Sequence, residues 1–209
     1  MLDKGLSLRF GRTSAIQDFD LSLPRTFGNA SLQEPWQAVI NVWICTGSIL
    51  GETYEHLYSP AALARPPEQR IETATRLADK MKGLWGQLEA LKREGSRAML
   101  DLKSSTSSSV ADSRARDGKK DKEYRDATME MVLKSGEVGH LASLTLIYRA
   151  IPSAPGTFHA ECIEAARKAF ERHGECVELT SHSLFAQAGY LHWYVFPAPI
   201  SPSRMGRGF

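Results

Sequence analysis

Between Glu34 and Tyr58 the apolar residues recur at three- and four-residue steps, through Trp36, Val39, Ile40, Trp43, Gly47, Leu50, Tyr54 and Leu57. A backbone with 3.6 residues per turn gathers those positions onto one wide stripe, which has to be covered by other helices. Pro35 suits a first helical position, where its missing N–H would have no partner anyway. Ser59-Pro60 stops the run.

The same period returns after Pro66-Pro67. Ile71, Ala74, Ala78, Met81, Trp85 and Leu88 mark a stripe with Leu77, Leu84 and Leu91 beside it, and Gly95 is a plausible terminator, although the RAMLDL segment could add another turn. From Lys103 to Lys122 the composition changes to SSTSSSVADSRARDGKKDK, Ser-rich and charged in both signs. Such a segment buries too little apolar surface to offset its ordering entropy and reads as a flexible linker. A helix is expected to resume near Glu123 and to end at Pro152. Another starts near Thr157 and falters at Gly174, and an aromatic-rich run spans Ser183 to Phe196. Leu6, Leu8 and Phe10 alternate, which predicts one short extended piece. The fold class is all-α, an irregular helical domain. Residues 1–102 form its N-terminal helical part, 103–122 the linker, 123–196 the C-terminal helical part and 197–209 an irregular tail.

The formal net charge of +2 gives no bulk electrostatic case for nucleic acid. Three cysteines, Cys45, Cys162 and Cys176, make no disulfide framework and fit a reducing compartment. No signal-peptide pattern opens the chain, and no apolar stretch reaches the ~20 residues that span a bilayer. A soluble intracellular protein without membrane partners is the expectation.

Candidate chemistry is sparse. His159 and Cys162, followed by His173 and Cys176, offer four zinc-type ligands. On one continuous helix the two pairs stand roughly 16 Å apart, so the helix would have to break to join them. Glu137 and His140 supply one Glu-x-x-His pair, half of a di-iron bundle site. The plainer account is a surface acid and a partly buried imidazole. No Walker loop, dinucleotide fingerprint or nucleophile elbow is present. The basic residues Arg114, Arg116, Lys119, Lys120 and Lys122 are diluted by Asp112, Asp117 and Asp121 and read as a solvated linker rather than an import signal. Catalytic, metal and cofactor-binding residues are therefore none.

The first segment, LDKGLSLRFGRTSAIQDFDLSLP, carries Leu2-Asp3-Lys4, Leu6-Ser7-Leu8, Gly11-Arg12-x-Ser14-x-Ile16 and the spaced Asp18 and Asp20 before Pro24. It resembles the Gly-Arg-Pro segment of the fungal-specific transcription factor domain, the middle homology region of binuclear zinc-cluster regulators. Thr13 stands where the family usually has proline. INVWICTGSILGETYEHLYSPAAL, with its Tyr-x-x-Leu-Tyr-Ser-Pro ending, resembles the helix that follows. LADKMKGLWGQL, LTLIYRAI, the Cys162 to Arg167 segment and YLHWYVF are similar to later helices, in order.

The resemblance implies a nuclear regulatory domain acting in transcription of metabolic genes, without enzymatic activity. Its partners would be proteins of the transcription machinery or a second copy. DNA would be reached only through a separate zinc-cluster module, so zinc is expected in that module and not in this chain. Gly11, Arg12, Ser14, Ile16, Asp18 and Asp20 would form a structural motif. In it Arg12 is a buried anchor paired with Asp18 or Asp20. The resemblance also implies a domain truncated at both ends, with apolar patches exposed near each. The competing reading is a helical small-molecule-binding or protein-interaction scaffold, with His140 or His192 near Trp43 or Trp85, or a remnant without function.

Overall fold

The buried face of the first helix is not the apolar one. In the computed structural model, which describes residues 2–16, 22, 24, 26–29, 36–105 and 113–180, α1 spans Leu2–Phe10. Lys4, Ser7 and Leu8 are buried at i, i+3 and i+4, whereas Phe10 is 71% exposed. The alternation of Leu6, Leu8 and Phe10 predicted a strand. The segment is helical instead, and the polar residues Lys4 and Ser7 on its packed face find partners described below.

Helix α2 runs Trp36–Thr53 and continues directly into a π-helical turn, Tyr54–Tyr58. The Ser59 N–H reaches back five residues to the Tyr54 carbonyl at 2.8 Å, the hydrogen bond that defines the wide turn. Ser59 then changes role. Its Oγ accepts the Ala62 N–H at 3.1 Å and caps the short α3, Pro60–Leu63, with Pro60 in the first turn. Helix α4 opens at Pro67 and runs to Ser105, past the expected stop at Gly95.

Helix α5 covers Ser113–Arg149 and α6 covers Ala160–Thr180, the latter continuous through Gly174. The segment expected as a linker, 103–122, is thus helical at 103–105 and 113–122, with 106–112 outside the described residues. It holds one glycine and no proline, and its arginines and lysines are good helix formers, so polarity alone does not interrupt the backbone. The aromatic run Ser183–Phe196 and the tail 197–209 also lie outside the described residues.

The α5–α6 hairpin is antiparallel. Thr145 meets Cys162 near its turn, and Glu137 with Arg172 and Val138 with Cys176 lie farther out along both helices. Helix α4 lies antiparallel to α5 on another face, with Arg70 at Ala150, Lys82 over the Tyr148 ring and Trp85 against His140. Between them Leu57, Leu77, Met81 and Ile147 are fully enclosed in one core. Burying such side chains contributes roughly 1.5–3 kcal/mol each. Helix α2 joins this core through Ile49, and outside it Glu52 bridges to Arg76 and Lys80 on α4. The fold is all-α, with no strand among the described residues.

Candidate functional site

The Gly-Arg pair ends α1. Gly11 takes a left-handed φ of 62°, and the Arg12 N–H bonds the Ser7 carbonyl five residues back at 3.1 Å. This is a Schellman cap, which favours glycine because a Cβ at positive φ is strained. The chain then folds back along α1. Asp3 accepts from the Ser14 hydroxyl, from the Ala15 N–H at 3.2 Å and from the Ile16 N–H at 3.3 Å. Lys4 donates to the Ile16 carbonyl, and the Ser14 hydroxyl also lies 2.7 Å from that oxygen. The Ser14 hydrogen bond, ahead of opposing desolvation and aided by the two amides, holds the Asp3 carboxyl below its ordinary range.

Gly11, Ser14 and Ile16 therefore come together in one clasp. Arg12 does not act as a buried anchor: its side chain is exposed, and its contribution is the backbone N–H. The charged anchors among the described residues are Asp3 and Lys4. Asp18 and Asp20 lie outside those residues. Phe10 and Ile16 remain exposed beside the clasp, and Ile163, Phe170 and Val177 form an exposed row on α6.

The His/Cys pairs stay apart because α6 is unbroken between them. Cys162 is buried with its thiol 3.5 Å from the Thr145 carbonyl, and burial pushes that thiol up, away from the reactive thiolate. Cys176 is buried against Val138. No group of three or more metal-type ligands gathers among the described residues.

Glu137, expected at the surface, is only 9% exposed and accepts from Arg172 Nε at 2.8 Å. One turn on, His140 is 8% exposed, and its ring lies 4.8 Å from that of Trp85, centroid to centroid. Burial alone drives the His140 pKa down to about 4, so the imidazole is neutral at ordinary pH. Of the aromatic–histidine pairs expected from the sequence, His140 with Trp85 is formed. His192 lies outside the described residues.

A cleft of about 250 Å³ opens where the α5–α6 turn meets the start of α4. Arg70, Arg149 and His159 line it together with Ile151, Pro152 and Phe158. Arg70 Nη2 donates to the Ala150 carbonyl at 3.0 Å, while its Nε is buried without a hydrogen-bond partner. His159 stacks on Tyr148 at 6.0 Å, with Nδ1 2.6 Å from Glu161 but outside hydrogen-bonding geometry. Tyr58, whose hydroxyl donates to the Leu146 carbonyl at 2.6 Å, holds the π turn against α5 close by, and burial pushes its phenol well above the usual range. Arg70 and Arg149 are 79 residues apart in sequence, and no motif links them. The one local sign is Arg149 in the last turn of a helix ahead of a Pro/Gly turn that leads straight into another helix.

No protein-family model matches the chain, and no curated protein and no solved structure matches it significantly. No helix among the described residues is long and apolar enough to cross a membrane.

Proposed function

We propose that this chain is a regulatory domain of the fungal zinc-cluster transcription factor type, acting in the nucleus through protein contact or effector sensing. It does no chemistry and makes no direct contact with DNA in this reading; a zinc-cluster module elsewhere would read the promoter. The observation that supports it most is the use made of the two stretches carrying the resemblance. Gly11, Ser14 and Ile16 build the clasp with Asp3 and Lys4, and Tyr54, Leu57, Tyr58, Ser59 and Pro60 build the π turn and its cap. Helix α1 packs on both α2 and that turn, so the two stretches form one joint of the scaffold.

The test is a reporter assay in a fungal host, with the chain fused between a heterologous DNA-binding domain and an activation domain. Output should differ at least severalfold from a fusion lacking the chain. Equal output at equal protein level would remove the regulatory reading. A second reading, a small-molecule-binding scaffold, is favoured by the arginine-lined cleft.

A further inference from the structure

The arginine cleft has a charge balance that helix capping does not account for. Arg70 covers the Ala150 carbonyl and so serves the end of α5, but that uses one of its five N–H donors. Its Nε is shut away from water with nothing to bond, an arrangement that costs free energy unless an acceptor arrives. Arg149 lines the same cleft from α5, and His159 stands at the entrance to α6, whose positive dipole end begins at Ala160. Glu161 is engaged near His159 Nδ1 and does not line the cleft; no Asp or Glu is among the described lining residues.

The rest of the wall is apolar and partly uncovered. Phe158 is 51% exposed, beside Pro152 and the buried Ile151. Guanidinium groups recognise a planar carboxylate through paired N–H donors, and a ring or alkyl body gains by covering Phe158. The volume, below that of a drug-sized pocket, suits a small ligand.

We infer that this cleft binds a small organic acid, its carboxylate held by Arg70 and Arg149 and its carbon body laid against Phe158 and Pro152. This goes beyond the regulatory reading and is tested apart from it: binding is read on the purified chain, promoter output in cells.

The experiment is isothermal titration calorimetry of the whole 209-residue chain with benzoate and hexanoate in a low-chloride buffer, since chloride competes for and screens the arginines. Benzyl alcohol tests the need for the charge, and inorganic phosphate tests the need for the carbon body. At least one of the two acids should bind saturably. Benzyl alcohol should not, and phosphate should bind about tenfold more weakly, since it leaves the apolar wall bare. Arg149→Gln should weaken acid binding about tenfold, the usual worth of a charge-assisted hydrogen bond. Ser153→Glu, at an exposed lining position, should weaken it comparably through repulsion while leaving the thermal melt unchanged. The assignment is overturned if neither acid binds saturably or if benzyl alcohol or phosphate binds as tightly as the acids. It is also overturned if Ser153→Glu binds them like the parent chain.

Discussion

Acid should unfold this protein through His140. The imidazole is 8% exposed, faces Trp85, and has a folded-state pKa of about 4 with burial as its cause. An unfolded chain returns it to about 6.5. Above that value the ring is neutral in both states and contributes no pH dependence. Below it the unfolded chain takes up a proton that the folded one refuses, so stability falls as pH drops from about 6.5 to about 4. The gap of about 2.5 units amounts to roughly 3 kcal/mol at the lower end, and about 2 kcal/mol by pH 5. A domain with a total stability of about 5–15 kcal/mol would feel that loss. Urea unfolding at pH 7.5, 6, 5 and 4.5, on the parent chain and on His140→Phe, separates this imidazole from the carboxylates that titrate nearby. The parent should lose about 2 kcal/mol more than the variant between pH 7.5 and 5. The same slope in both proteins, or a His140 ring signal titrating near pH 6.5 by NMR, would refute the buried neutral ring.

The clasp predicts unequal effects at neighbouring residues. Asp3→Ala removes three hydrogen bonds and should cost about 1–2 kcal/mol, with faster hydrogen exchange at Ala15 and Ile16. Gly11→Ala should cost about 1 kcal/mol through its positive φ, whereas Arg12→Ala should stay within about 0.5 kcal/mol in a denaturant melt. Tyr58→Phe deletes the bond to Leu146 and should cost about 1 kcal/mol with no change in m-value. Ile147→Ala, at a fully buried position, should cost about 3–4 kcal/mol by calorimetry, or enough to prevent folding.

Helical period made most of the fold legible. The start at Pro67 follows from proline chemistry, and the stripe through Ala74, Leu77, Ala78 and Met81 is the stripe that the core uses. The period failed at α1 because hydrophobic patterns cannot register a face made by Lys4 and Ser7. It failed again at 103–105 and 113–122, where low hydrophobicity signals weak packing but does not forbid a helix. The clasp was half visible: the Gly-Arg motif marked the place, and the side chain that drew attention, Arg12, is the one turned out to solvent. The sequence offered His140 or His192 near Trp43 or Trp85, of which His140 with Trp85 is formed, whereas Glu137 looked like a surface acid, because its burial depends on Arg172 on the facing helix. The arginine cleft had no motif, since Arg70 stands 79 residues before Arg149 in the chain and only the fold brings them together.

A π turn holds one residue more than the α turn it replaces, so Tyr54–Tyr58 stores a length change inside an otherwise regular rod. Deleting Glu55 or His56 would close it to an α turn and leave the residues beyond in phase with α2. A further residue inserted there has no second wide turn to absorb it and would rotate everything beyond by about 100°, taking Leu57 out of the core and the Tyr58 hydroxyl away from Leu146. The joint thus tolerates the loss of a residue at this point and not the gain of one.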